Sequence, residues 1–488
     1  MSSIFTTPAF RVQMKGLEPP QDYSYSVLNA TRLPVPPHLL VDQIIPEFER
    51  LVVVGVCFVL ELTSVIKIKP LFVVLFTVFV DLIGFGILIP VIPQLLANPH
   101  STYYLLVGKG ITISQGYIIL GYLTAMFPFM QFLFTPILGQ LSDHFGRKPL
   151  LAYSLLGTCL SYILFALGIV FKNIPLLFVA RGFDGITGGN ISVAQAAIAD
   201  LTAPQDRAKN FGLMGAVFGI GFVLGPYIGG KLSDPTILPW FNATTPFWFA
   251  AFLSLVNVFS VWKFFPETHL NRDMTFSVTW DQSFLNIVSA FKPVRLRALF
   301  GTIFTFWAGF SFFTTFFSVY LIHRFGFTSS NIGDFFSYVG IWIAISQALI
   351  VRKLSGRFSE YQILCVSLAG AGLFLFLYAL PTHWWYLLFI TPFFAMFQGM
   401  TQANMTSLVS KAGENARGGI LGINASVQAL AQSIPPVLSG YIAAKLDPSA
   451  SVHTSAFVVL LAAVVFIVFY RESKVKPASS ASVYTASH

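Results

Sequence analysis

The chain has 488 residues, 55% of them apolar and only 10% charged, and its mean hydropathy is +0.73. Soluble domains carry about 25% charged residues, so this composition excludes an ordinary soluble enzyme and indicates a polytopic membrane protein. The formal charge of +9 needs no nucleic-acid partner, because basic residues at the cytoplasmic ends of membrane helices give the same excess.

Residues 1–69 form an N-terminal extension. Up to residue 50 it is polar, with Pro34, Pro36 and Pro37 close together and no helical or strand period. Leu51 to Ile66 is apolar but short of the roughly 20 residues a spanning helix needs, and Glu61 interrupts it. It reads as an interfacial helix, with a thirteenth crossing or a mis-assigned start of the chain as rivals. Cys57, Cys159 and Cys365 are far apart in apolar runs, so free thiols are expected, with no disulfide framework or metal site.

From Pro70 onward, apolar runs of spanning length recur near 70–96, 113–138, 149–171, 175–200, 211–232 and 245–265. Six more follow near 298–321, 331–351, 361–380, 384–409, 418–443 and 453–470. The pattern predicts an all-α membrane protein: a bundle over 70–266, a central linker over 267–297, a second bundle over 298–470 and a tail over 471–488. With the first span starting in the cytoplasm, nineteen Lys and Arg flank the spans on that side and five on the other. This bias supports an even span count and two cytoplasmic termini.

The halves repeat. Arg207 precedes Pro226 by 19 residues and Arg417 precedes Pro436 by 19, an offset of 210. Leu141, Ser142 and Phe145 align with Leu354, Ser355 and Phe358 at an offset of 213, where Gly356, Ser359 and Glu360 replace Asp143, Gly146 and Arg147. The lock chemistry is therefore expected in the first copy only. Repeated bundles of this kind place a substrate site at their interface near mid-membrane.

Between spans two and three lies a charged elbow, Gly139 to Leu151 (GQLSDHFGRKPLL). Asp143 is suited to cap a helix start and Gly146 to take positive φ, while Arg147 and Lys148 hold the headgroup region and Pro149 fits a first helical turn. Three charges fall at membrane depth: Asp81, Arg181 and Asp184. Each such charge costs about 2.5–3.5 kcal/mol on insertion scales and needs a partner or a purpose. Arg181 and Asp184 share a face at i, i+3, continued by Gly188, Ser192 and Gln195. They read either as a structural pair or as a proton-coupling group in which Arg181 sets the protonation of Asp184 or Asp81. Span five carries Gly212, Gly221, Gly225, Pro226, Gly229 and Gly230 in the spacing G-x8-G-x3-G-P-x2-G-G. In the second half, Gln398 with Gln402, and Asn424 with Gln428 and Gln432, form uncharged amide stripes. They serve either interhelical hydrogen bonding or, with Gln195, a substrate cavity. Sequons stand at Asn29 and Asn242.

The spacing G-x-L-x-D-x-x-G-R-K of the elbow resembles the loop motif of the major facilitator superfamily, and the glycine pattern of span five resembles the antiporter motif of its drug/proton exchangers. With LFVVLFTVFVDLIGFGILIPVIPQLL, RGFDGITGGNISVAQAAIADLT and FPETH closing span six, the likeness to tetracycline-resistance efflux proteins covers about residues 70–470. The resemblance implies a twelve-helix fold of two pseudo-symmetric six-helix bundles. It implies that Asp143, Arg147 and Asp200 form a cytoplasmic gate network, and that Asp81 and Arg181 match charged positions of the family's first and fourth helices. Asp184 replaces a small residue usual there, and His144 stands where Arg is commoner. The expected function is proton-coupled antiport exporting small amphipathic or lipophilic compounds by alternating access. The rival readings are a proton-coupled nutrient symporter or facilitator and, in another class, a carrier-like protein that binds without transporting. No cofactor is expected, a proton gradient being the energy source. The expected partners are the substrate, protons and lipid, in a plasma or cytoplasmic membrane, with the chain a monomer.

Overall fold

The computed structural model describes residues 69–203, 206–269, 279–292, 294–355, 357–412 and 419–470. The extension with its 51–66 segment, Cys57, Asn29, part of the linker, Arg417 and the tail lie outside them. All regular structure among the described residues is helical.

The first bundle contains α1 (Pro70–Leu96), α2 (Ile113–Phe145), α3 (Arg147–Val170), α4 (Ile174–Thr187), α5 (Asn190–Asp200), α6 (Arg207–Leu232) and α7 (Thr245–Phe264). Local signals set their starts. Proline opens α1, a reciprocal Thr112–Gln115 capping box opens α2, and the Asn173 side chain accepts from Leu176 N–H at the start of α4. The fourth span departs from the continuous helix expected over 175–200. It breaks between α4 and α5 at Gly188 and Gly189, where Gln131 Nε2 donates to the Gly188 carbonyl at 3.0 Å and Gly189 lies against Thr135 and Leu138 of α2. A glycine pair frees the backbone to kink, and a neighbouring amide satisfies the released carbonyl.

A linker helix, α8 (Gln282–Phe291), leads to the second bundle: α9 (Val294–Phe325), α10 (Ser329–Ile345), α11 (Glu360–Tyr378), α12 (Trp385–Ala412), α13 (Gly419–Lys445) and α14 (Pro448–Phe469). After α10 the rod continues through a π-helical segment, Ser346–Val351, and a last turn, Arg352–Ser355. Among the described residues, nine helices are each long and apolar enough to span a membrane alone. The broken pair α4–α5 and the amide-striped α12 and α13 bring the spans to twelve.

The bundles meet along two seams, α2 with α13 and α6 with α10. Both seams are tight at the end opposite the elbow. A Cβ on Gly121 would lie 2.4 Å from the Pro436 carbonyl oxygen, and one on Gly333 2.5 Å from that of Pro226. Tyr122 and Tyr441 hydroxyls stand 3.1 Å apart, Lys231 Nζ meets Asp334 Oδ2 at 2.8 Å, and Gln94 Nε2 donates to the Phe327 carbonyl at 3.0 Å. Toward the elbow end, Gly212, Gly215 and Gly219 of α6 and Gly422 of α13 face open space. There α8 ties the bundles: Ser283 Oγ donates to Phe132 O at 2.6 Å, and Asn286 Nδ2 to Ser426 Oγ at 3.0 Å. The seams are closely packed at one end, and at the other the bundles are joined through α8.

Candidate functional site

The elbow is mostly helix: α2 runs on through Phe145, and Gly146 alone makes the turn, with φ 103°. Arg147, only 7% exposed, places Nη1 2.6 Å from Asp143 Oδ1 and Nε 3.2 Å from Asp200 Oδ2, and also donates to Ser142 Oγ. Two carboxylates therefore compensate a nearly buried guanidinium. Asp143 does not cap α3 as its place in the sequence suggested. The first N–H groups of α3 belong to Glu267, whose Oε1 accepts from Arg147 N at 2.9 Å and whose Oε2 accepts from Lys148 N at 3.2 Å. Oε1 also takes the N–H groups of Thr268 and His269, each at 3.0 Å. Glu267 lies 120 residues from the elbow. Its one sequence signal was its place in FPETH, and no local rule links it to Gly146. Lys148 joins through its backbone. Gly139 lies in open space, and the His144 ring packs edge-on against Phe145 at 4.7 Å.

The second elbow is not without lock chemistry, which corrects the expectation. Glu360, the first residue of α11, meets Lys411 Nζ in the last turn of α12 at 2.5 Å, and Ser407 Oγ donates to the same oxygen at 3.3 Å. Arg147 starts the third span of its bundle and Asp200 ends the fourth, so the second bundle repeats the tie with the signs exchanged. Glu360 was read as a lost arginine because its partner, 51 residues on, has no counterpart in the elbow motif.

At mid-membrane, Arg181 and Asp184 of α4 are 4% and 5% exposed, and Arg181 Nη1 meets Asp184 Oδ2 at 2.6 Å. The guanidinium carbon also stands 4.7 Å from the centre of the Phe127 ring. Leu88, Ser161, Tyr162, Phe165 and Ala180 line the niche around the pair. Asp81 faces the same group from α1. Its Oδ2 is buried and accepts no hydrogen bond, Asn190 lies beside it, and Asp184 is an electrostatic neighbour. The structure thus gathers all three membrane-depth charges of the first bundle into one cluster and adds Asn190 and Tyr162.

In the glycine pattern of α6, Gly221, Gly225 and Gly229 lie at i, i+4, i+8 and press on Leu82, Gly86 and Ile87 of α1. Gly230 turns to α10, where a Cβ would lie 2.6 Å from the Ser329 carbonyl oxygen. Pro226 touches Gly86 on one side and Gly333 on the other, while Gly212 faces open space. The motif is therefore a three-helix junction at the closed end. The amide candidates are scattered. Gln398 is 2% exposed, Gln402 accepts from Gln347 Nε2 at 3.3 Å, and Asn424 Oδ1 is buried without a hydrogen-bond partner. The Gln428 carbonyl accepts from Gln432 Nε2 at 3.3 Å, and Gln195 is half-buried on α5. Gln347 sits in the π-helical segment, a departure from the α-helix that the sequence pattern did not signal. The Asn242 side chain of the second sequon is engaged at the start of α7, accepting from Thr244 N at 2.8 Å.

Residues 74–436 match the sequence profile of the Major Facilitator Superfamily. Tetracycline resistance protein, class H, from Pasteurella multocida is 30% identical over 381 residues, 77% of this chain and 89% of that protein. The class C protein from Escherichia coli is 33% identical over 331 residues, 65% and 75% of the two chains. Multidrug resistance protein 2 from Bacillus subtilis (strain 168) is 27% identical over 384 residues, 78% and 90%. Among solved structures, the human organic anion transporter MFSD10 (TETRAN) superposes with a TM-score of 0.62 at 22% identity, over 81% of this chain and 98% of that one. The inward open xylose transporter XylE from E. coli gives a TM-score of 0.64 at 14% identity, over 83% and 97%. The second pair shows likeness of fold; the sequence matches show more, and the chain belongs to the major facilitator superfamily, in the branch of the tetracycline and multidrug resistance proteins.

Proposed function

We propose that this transporter exports small amphipathic or lipophilic compounds, tetracycline-like molecules among them, in exchange for protons. The observation that carries the coupling is the buried cluster of two carboxyls and one guanidinium. With both carboxyls ionised the cluster bears a net negative charge in a low-dielectric interior, a costly state that one added proton relieves. Asp184 has Arg181 as its counter-ion and Asp81 has none, so Asp81 is the carboxyl that holds the proton in this conformation. The glycine junction of α6 and the names of the resistance relatives support export.

The distribution of Lys and Arg supports an elbow end that faces the cytoplasm, and the tight glycine seams then close the outer end. The chain acts as a carrier and not an enzyme, as a monomer in the plasma or cytoplasmic membrane, with both termini cytoplasmic and the proton gradient as its energy source. Half-buried amides of the second bundle, Gln402 and Asn424 foremost, orient the substrate. The test is flux driven by a pH gradient in proteoliposomes, with tetracycline and ethidium as probes, for wild type, Asp81→Asn and Asp184→Asn. Coupling is expected to fall by roughly 100-fold in at least one variant. Equal flux with and without the gradient in all three proteins would remove the antiport reading.

A further inference from the structure

Tyr162 of α3 stands where the two carboxyl-bearing helices come together. Its side chain is 4% exposed and lines the niche that holds Arg181 and Asp184. Its hydroxyl reaches toward α1, over Gly84: a methyl group on Gly84 would lie 1.7 Å from the phenol oxygen and 2.6 Å from the ring carbon that bears it. Gly84 is i+3 from Asp81, so the two share a face of α1, and the missing side chain lets the phenol lie against α1 within one turn of Asp81. Asp184, Asp81 and Arg181 are all electrostatic neighbours of the phenol.

Few other groups compete for this place. The charged residues of α2, α6 and α7 fall at the helix ends: Asp143 and His144, Arg207, Lys209 and Lys231, and Lys263. From α5 comes the Asn190 amide beside Asp81, and from α3 itself Ser161, which lies next to Asp184 and donates to the Thr158 carbonyl at 2.8 Å. On α7, Asn257 accepts from Thr77 Oγ1 through its Oδ1 at 3.2 Å while its buried Nδ2 has no partner, and Cys159 of α3 donates to Ala251 O at 3.3 Å. Tyr162 is a titratable group that has both Asp81 and Asp184 as electrostatic neighbours.

We infer that the Tyr162 hydroxyl is the positioning group that joins Asp81 and Asp184 into one proton-exchanging unit, and that Gly84 is there to admit it. The inference rests on the coupling reading above. In the exchange, the Asp81 O–H bond breaks as its proton passes to the phenol oxygen, while the phenol proton passes to the Asp184 carboxylate. Asp81 ends ionised, Asp184 neutral and the phenol unchanged, so no ionised tyrosine is required. A phenol suits the place because it donates and accepts through one atom while its ring fills apolar space.

The test uses the full chain in proteoliposomes with tetracycline and ethidium, comparing wild type, Tyr162→Phe and Gly84→Ala. Tyr162→Phe removes a single oxygen, and Gly84→Ala pushes the same oxygen away from the other side. Both are expected to lose about tenfold or more of gradient-driven transport and to change its pH profile over roughly pH 6 to 9, while counterflow without a gradient stays within about twofold. A readout independent of substrate is the infrared carboxyl stretch of the purified protein, assigned by its loss in Asp81→Asn and expected to shift in Tyr162→Phe. A wild-type pH profile with an unmoved carboxyl band in Tyr162→Phe overturns the inference, and so does an equal loss of counterflow and driven transport. If Asp81→Asn and Asp184→Asn lose coupling while Tyr162→Phe keeps it, the inference alone fails. If the Asn variants keep coupling as well, the coupling reading fails with it.

Discussion

Gly146 is held from two directions. Its φ of 103° lies where L side chains are strained, and a Cβ there would come within 2.3 Å of Glu267 Oε2. The glycine therefore turns the chain and also leaves the space through which the carboxylate reaches the first N–H groups of α3. A negative group at that place satisfies orphan donors and meets the positive end of the helix dipole. Glu267→Ala is expected to cost about 1–2 kcal/mol, and Glu267→Gln, which keeps an acceptor oxygen, less. Thermal melting in detergent gives the cost, and amide hydrogen exchange at Arg147 and Lys148 locates it. Protection unchanged in Glu267→Ala would mean that the helix start is held by something else.

At the scale of elements, what the sequence revealed follows from how local each cause is. The apolar runs were legible because a bilayer demands about 20 residues of hydrocarbon-compatible helix wherever the chain crosses, and Gly146 was legible because a reversal between two such helices needs its backbone freedom. The break at Gly188 and Gly189 was hidden, since membrane helices carry glycines without breaking; Gln131 of α2 takes the released carbonyl. The sequence placed Asp81, Arg181 and Asp184 on their helices but could not bring Tyr162 and Asn190 among them, because those contacts arise from packing. The second elbow was misread because an ion pair with reversed signs preserves a position and not a residue type. The ties of the two elbows differ in weight. Arg147 is buried between Asp143 and Asp200, whereas the Lys411 side chain is 58% exposed. Asp143 and Asp200 are themselves partly exposed, so Arg147→Gln is expected to cost about 1–3 kcal/mol, and Glu360→Gln less than about 1 kcal/mol. The exchanged pair Glu360→Lys with Lys411→Glu should restore what Glu360→Lys alone loses. A double-mutant cycle on melting temperature checks this, and zero coupling energy would reduce the second tie to a chance contact.

For the whole molecule, the closed end decides which way the carrier faces. Backbones cross the seams through glycine: Gly121 and Gly440 bring α2 against α13, and Gly230 and Gly333 bring α6 against α10. The Lys231–Asp334 pair is partly exposed and adds at most about 1 kcal/mol, so close packing and not the ion pair holds this end. Any side chain at Gly333 must push against the Pro226 carbonyl oxygen and the Gly230 Cα, 2.5 and 3.1 Å from where its Cβ would stand. Overpacking of that kind costs about 1–3 kcal/mol, and the cost falls on the closed arrangement alone. A shift of that size moves a two-state equilibrium by roughly 5- to 150-fold. Gly333→Val is therefore expected to populate the arrangement open at this end, whereas Lys231→Ala should change the balance little. Spin labels at the exposed Thr102 and Thr382, one on each bundle at this end, read the outcome as a longer pairwise distance in Gly333→Val. An unchanged distance in Gly333→Val with a lengthened one in Lys231→Ala would transfer control of the seam from packing to charge.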